Sequence, residues 1–167
     1  MRITIVLTAA LFASAAMAGE LPKEGKFAGT FHGAGTFKAA AMGKDAISGW
    51  DQMGYWLISD GPSVFDHMTW HCLGEHHVIA GIVGYHGNCI GTDTAGDQIV
   101  TQITNADTAT PADVKTIPGK VTLVGGTGKY AGITGNVTED VLMTQFKVAA
   151  DGNYVQFTKF QGSYKLP

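Results

Sequence analysis

A single all-β domain, a sandwich or a barrel, is the fold class the sequence predicts, and three observations carry that prediction. No stretch after the first 18 residues shows helical periodicity. Short runs rich in β-branched and aromatic residues recur instead, separated by turn signals such as Asp60-Gly61-Pro62 and Asp151-Gly152. No internal repeat, linker or low-complexity tract divides the chain.

The expected elements run in order along the chain. Residues 25–41 (GKFAGTFHGAGTFKAAA) read as a first strand or pair, with glycines that permit bends. Residues 50–59 form a second strand and 63–73 a third, while 78–92 and 98–104 flank a turn at 93–97. Residues 105–118 are polar, carry Pro111 and Pro118, and read as the longest loop. Residues 120–124, 133–148 and 153–166 complete the set. Asp151-Gly152 is a strong hairpin signal, and a two-residue turn there sets Phe146 opposite Phe157.

The first residues point to export. Met1-Arg2 opens a positive start, residues 3–16 are almost wholly apolar, and Ala16-Met17-Ala18 is a small-x-small cleavage pattern. Residues 1–18 thus read as a secretory signal, too short for a spanning helix, and residues 19–167 as the mature periplasmic or secreted domain. Without Arg2 the mature chain carries 10 basic against 14 acidic residues. That balance argues against nucleic acid as a partner, because a binder needs a basic patch to displace counterions. Cys72 and Cys89 are expected to form a disulfide in an oxidising compartment. A two-residue turn at Ala80-Gly81 places them directly opposite one another, Glu75 opposite His86 and His76 opposite Tyr85; Leu73-Gly74 is a rival turn site.

The stretch 124–135, VGGTGKYAGITG, holds five glycines and a central lysine, which raises the question of a phosphate loop. The Walker pattern fails: Tyr130 succeeds Gly128-Lys129 where Ser or Thr is required, and Leu123 stands in place of the first glycine. Gly126, Gly128 and Ala131 fit the looser dinucleotide pattern, but that chemistry needs a helix next, and residues 131–138 (AGITGNVT) are glycine-rich and β-branched. A tight turn, a bulge or close strand packing accounts for the glycines better.

The same stretch resembles the signature hairpin of the allene oxide cyclase and dirigent barrels, where Gly-Gly-Thr/Ser-Gly, an aromatic and a later glycine form a turn before a strand. Residues 89–97, CIGTDTAGD, are similar to exported bacterial relatives of such barrels. The resemblance implies a small, calycin-like, antiparallel eight-stranded barrel with an apolar interior, often in dimers or trimers. It also implies a protein that directs cyclisation, isomerisation or coupling of a small molecule without a cofactor. No catalytic residue is carried over.

Candidate site residues come from aromatics and histidines. Trp56, Trp70 and His71 are the expected pocket residues, although Trp70 and His71 alternate along a strand and cannot both project inward. If the face of His67, Thr69 and His71 looks inward, His71 serves as a general base or orients a ligand hydroxyl; if not, it is a surface imidazole. Five histidines fall between residues 67 and 86, and His76, His77 and His86 are the alternative, a metal site. A barrel that binds a small apolar or amphipathic molecule, the leading expectation, calls for an apolar cavity of a few hundred Å³. A filled barrel serving as a structural or interaction module calls for none.

Overall fold

The computed structural model describes residues 21–111, 115–144 and 152–167. The expected signal segment and cleavage site lie outside the described residues. Nine strands make one sheet: β1 (Glu24–Met42), β2 (Asp45–Asp60), β3 (Thr69–Ile79), β4 (Ile82–Thr92), β5 (Gln98–Asn105), β6 (Thr110–Pro111), β7 (Thr116–Gly126), β8 (Thr134–Thr144) and β9 (Gly152–Lys165). The order runs β3-β2-β1-β9-β8-β7-β5-β4, and β3 pairs with β4 to close an antiparallel barrel of eight long strands, with two-residue β6 added to β4.

Alternation of side chains across each strand sorts the sequence into wall and interior. On β2, Ala46, Ser48, Trp50, Gln52 and Trp56 are buried, while Ile47, Met53 and Tyr55 face out. A barrel of eight strands is just wide enough for side chains to fill, and aromatic rings do so here. Trp56 lies 4.4 Å from Trp70 and 4.6 Å from Phe160 between ring centroids, and Phe27 lies 5.1 Å from Phe65. Such tilted contacts add to the burial of large apolar surfaces.

The third expected strand begins later than its composition implies. Residues 63–65 form a 3-10 turn, His67 adopts a left-handed φ of 58°, and β3 starts only at Thr69. Burial is the reason: Phe65 and Met68 are fully buried, so the chain folds over the barrel end and plugs it. Tyr130, Ile133 and Leu166 complete that plug. The polar segment 105–118 is likewise shorter as a loop than expected. β7 already includes Ile117, buried in the interior, and Pro118, whose carbonyl accepts from the Ala106 amide at 3.1 Å. Proline is tolerated near a strand's start, where one missing donor disturbs little of the ladder.

Two hairpin registers test the turn chemistry. Ala80 and Gly81 both have positive φ, 52° and 80°, as a two-residue hairpin turn requires, and Cys72 faces Cys89 across it. The disulfide is formed, with an S–S length of 2.02 Å. Alanine is a poor occupant of that turn, so Ala80→Asn is expected to stabilise the fold by about 0.5–1 kcal/mol, read by denaturant unfolding. On β9, Phe157 pairs with Leu142 rather than Phe146. A turn dipeptide acts only locally, whereas the register of β9 on β8 is held by a continuous ladder from Thr134↔Lys165 to Thr144↔Val155. Phe146 and Asp151 themselves lie outside the described residues.

The glycine-rich stretch is a piece of barrel architecture. β7 ends at Gly126, a 3-10 turn spans Gly128–Tyr130, and β8 begins at Thr134. Gly128 sits at φ +51°, where a Cβ would run into the Asp97 carboxylate. The lysine has its anion within the chain: Lys129 Nζ lies 2.5 Å from Asp93 Oδ2, and the Tyr130 hydroxyl donates to the same oxygen at 3.0 Å. Asp93 Oδ1 accepts from the Ala95 and Asp97 amides at 2.8 and 3.0 Å. Burial pushes the Asp93 carboxyl up, but these four donors outweigh it and hold it below the usual range. The loop clamps the β4–β5 turn where a phosphate would otherwise be sought.

Candidate functional site

The parity of β3 places the expected residues on opposite sides of the wall. Trp70 and, on β2, Trp56 are buried and line the same interior cavity. His71 is on the outer face, exposed, with Nε2 2.9 Å from Asp51 Oδ1. It is a surface imidazole and takes no part in the interior.

The three histidines of the metal alternative are also split. His76 is buried among Trp50 and Tyr85, at ring-centroid distances of 5.7 and 5.4 Å. His77 and His86 face outward around Glu75, with Nδ1 atoms 3.3 and 3.9 Å from its Oε1. Neighbouring residues 76 and 77 alternate across the wall, so no single ion can be held by all three. Among the described residues, no three His, Cys, Asp or Glu side chains converge as a metal site does.

The interior holds a polar belt between two apolar layers. The larger layer contains the tryptophans and phenylalanines; the smaller consists of Val83, Tyr85, Ile117 and Val141. Between them, the Gln52 amide donates to Gln156 Oε1 at 2.9 Å, and the Gln156 amide donates to Thr158 Oγ1 at 2.8 Å. The Tyr85 hydroxyl donates to Glu139 Oε1 at 3.5 Å.

Two small cavities flank the belt. One of about 40 Å³ is lined by Trp56, Trp70, Phe31, Phe160 and the disulfide sulfurs' residues. The other, of about 20 Å³, is lined by Trp50, His76, Tyr85, Ile117 and Val141. Gln52, Ile103, Glu139 and Gln156 line both. These volumes hold a few waters and fall well below the few hundred Å³ expected of a ligand barrel. The aromatic rings fill the space that a wider interior would leave open.

Glu139 is half-buried as a residue, but its carboxyl lies in the interior. Burial raises its pKa to about 7, with the Asp140 charge adding and the Tyr85 hydrogen bond opposing. His76 moves the other way, down to about 3, through burial and then the nearby His77 and His86. Burial and the facing Glu139 push the Tyr85 hydroxyl well up, so it stays a donor. A carboxyl that titrates near neutrality, a neutral imidazole and a phenol therefore border one small chamber. Of the three, the Glu139 carboxyl is the group poised to give and take a proton near neutral pH.

The Tyr85–Glu139 pair depends on Gly119, which lies directly across from Glu139 on β7. A Cβ there would collide with the Tyr85 hydroxyl and with the Glu139 side chain. Gly119→Ala is expected to cost about 1–3 kcal/mol by overpacking, and Tyr85→Phe in the same chain to recover part of it. Equal losses with and without the hydroxyl, measured by denaturant unfolding, would place the collision elsewhere.

Glu139 carried a faint signal in the sequence. It shares strand parity with Val137 and Val141, an acid set among inward valines. Gln52 and Gln156 carried none, since polar residues in strands ordinarily face water. In comparisons with known proteins, the chain matches no protein-family model and no curated protein.

Proposed function

We propose that this is an exported barrel that binds a small, largely apolar molecule in its interior and moves a proton on it without a cofactor. Cyclisation or isomerisation is the reaction class. The observation that carries this reading is Glu139: a protonatable carboxyl, hydrogen-bonded by Tyr85, lining both interior cavities. Perturbed acids and bases inside an apolar chamber are what proton-transfer sites need. Trp56 and Trp70 would pack against the apolar part, and Glu139 would give and take the proton, with the Tyr85 hydroxyl orienting its carboxyl.

Binding requires the two cavities to merge and the aromatic rings around them to part, because together they hold only a few waters. The Gln52–Gln156 pair between them is the partition, held by a single direct amide contact. The resemblance of residues 125–135 to the allene oxide cyclase and dirigent hairpin supports the same reaction class. The apolar start of the chain and the disulfide support an oxidising, extracytoplasmic location. Among the described residues, no helix is long and apolar enough to cross a membrane.

Native mass spectrometry of protein recovered from its own compartment tests the reading. The expected result is an added organic mass, retained in Glu139→Gln while its conversion is lost. Bare protein that takes up no member of an apolar small-molecule panel would leave the filled barrel, a structural module, as the better account.

A further inference from the structure

Two buried donors on residues that line the cavities have no acceptor. The indole Nε1 atoms of Trp50 and Trp70 are buried and make no hydrogen bond within the described structure. The residues are 6% and 2% exposed, so bulk water does not supply the partner. Each tryptophan lines a different one of the two cavities, Trp70 the larger and Trp50 the smaller. A buried N–H without an acceptor is unfavourable, and almost all such groups in folded proteins are paired with something. The pairing atom belongs in the cavities.

Charge decides what kind of acceptor it is. Among the described residues lining either cavity there is no lysine and no arginine. An anion placed there would lack a counter-charge, and it would share the space with the Glu139 carboxyl. Burying an unpaired charge is far costlier than burying a neutral carbonyl that accepts one or two hydrogen bonds. Other donors are already used: the Tyr85 hydroxyl on Glu139, and one amide N–H of each glutamine on its neighbour. Each glutamine keeps a second N–H, but the indoles make no hydrogen bond at all and gain most from an acceptor.

Resting on the proposed binding function, we infer that the ligand is an uncharged carbonyl compound whose oxygen accepts from the indole N–H of Trp70 or Trp50. Its apolar remainder packs on Trp56 and Phe160. A carboxylate of the same shape is excluded by charge, and a hydrocarbon of the same shape leaves the indole unpaired.

Three isosteric probes test this on the wild-type mature protein: 2-butanone, propanoate and 2-methyl-1-butene. They share one branched shape and differ in a neutral oxygen, a carboxylate and a methylene group. The indole ¹H–¹⁵N resonances, assigned with Trp50→Phe and Trp70→Phe, are tracked by titration at pH 7. Butanone is expected to shift the Trp70 or Trp50 N–H saturably and to bind roughly tenfold or more tightly than either isostere. The inference is overturned, with the binding function intact, if propanoate or the alkene binds as well as the ketone. It is equally overturned if butanone binds while both N–H resonances stay put. If none of the three binds and the barrel also takes up no larger ketone such as cyclohexanone, ordered water fills the cavities. The inference then falls together with the binding function.

Discussion

Glu139→Gln should melt higher than wild type at pH 8, by roughly 6–12 °C, and no differently at pH 4.5. The sign comes from the carboxyl's raised pKa, about 7 against an ordinary 4.5. A group whose pKa is raised on folding contributes stability below its unfolded value and loses it as pH rises through the folded one. Above pH 7 the wild type carries an ionised carboxylate in the barrel interior, at a cost on the order of 3 kcal/mol, and glutamine removes it. Tyr85 can still donate to the amide oxygen, so the neutral hydrogen bond survives.

His76 makes the pH dependence of the wild type informative. Its folded pKa, about 3, is depressed, so its contribution is present above about 6.5 and lost as pH falls towards 3. Between about pH 4.5 and 6.5 the two slopes oppose one another, and wild-type stability is expected to be nearly level. In Glu139→Gln the histidine acts alone, and stability should rise across that window by about 1.4 kcal/mol per pH unit. Thermal melts from pH 4.5 to 8 distinguish the two profiles. A gain that is the same at both ends would mean that the carboxyl is solvated, and the proton-transfer reading would lose its acid.

Asp93→Ala is expected to cost about 3–5 kcal/mol at pH 7, a fall in melting temperature on the order of 10 °C. The Asp93 side chain is only 5% exposed, and it accepts from Lys129, Tyr130 and two turn amides. Removing it leaves two amides without acceptors and takes away the buried part of the clamp, while Asp97 and Gln98 still hold the 125–135 loop. Lys129→Met should cost far less, about 1 kcal/mol, because the other three donors remain and the lysine is partly exposed. The Asp93→Ala deficit should shrink in acid, since the depressed carboxyl loses its contribution as pH falls through its folded value. A loss for Lys129→Met as large as for Asp93→Ala would show that the ion pair, not the turn amides, holds the clamp.

The legible and illegible parts of this molecule divide by range of interaction. Strand content comes from local alternation, and the Cys72–Cys89 opposition comes from placing one turn at Ala80-Gly81. The failure of the phosphate-loop reading was equally local, because Tyr130 and the β-branched run after it rule out the required helix. The turn at Asp151-Gly152 shows the limit of the same reasoning. A two-residue signal cannot overrule a ladder of eleven residue pairs between β8 and β9.

Pattern along the chain was enough to establish an all-β protein, its disulfide partners and the two alternating faces of each strand. Which face became the interior was settled by closure of the barrel. Parity places Trp70 and Cys72 on one side of β3 and His71 on the other, but inward has no meaning until β3 meets β4. Closure then took His76 inside, left His71, His77 and His86 outside, and carried Glu139 to Tyr85 across 54 residues of chain. It also set the size of the chamber, because the room left inside eight strands is what remains after every aromatic ring has found its neighbours.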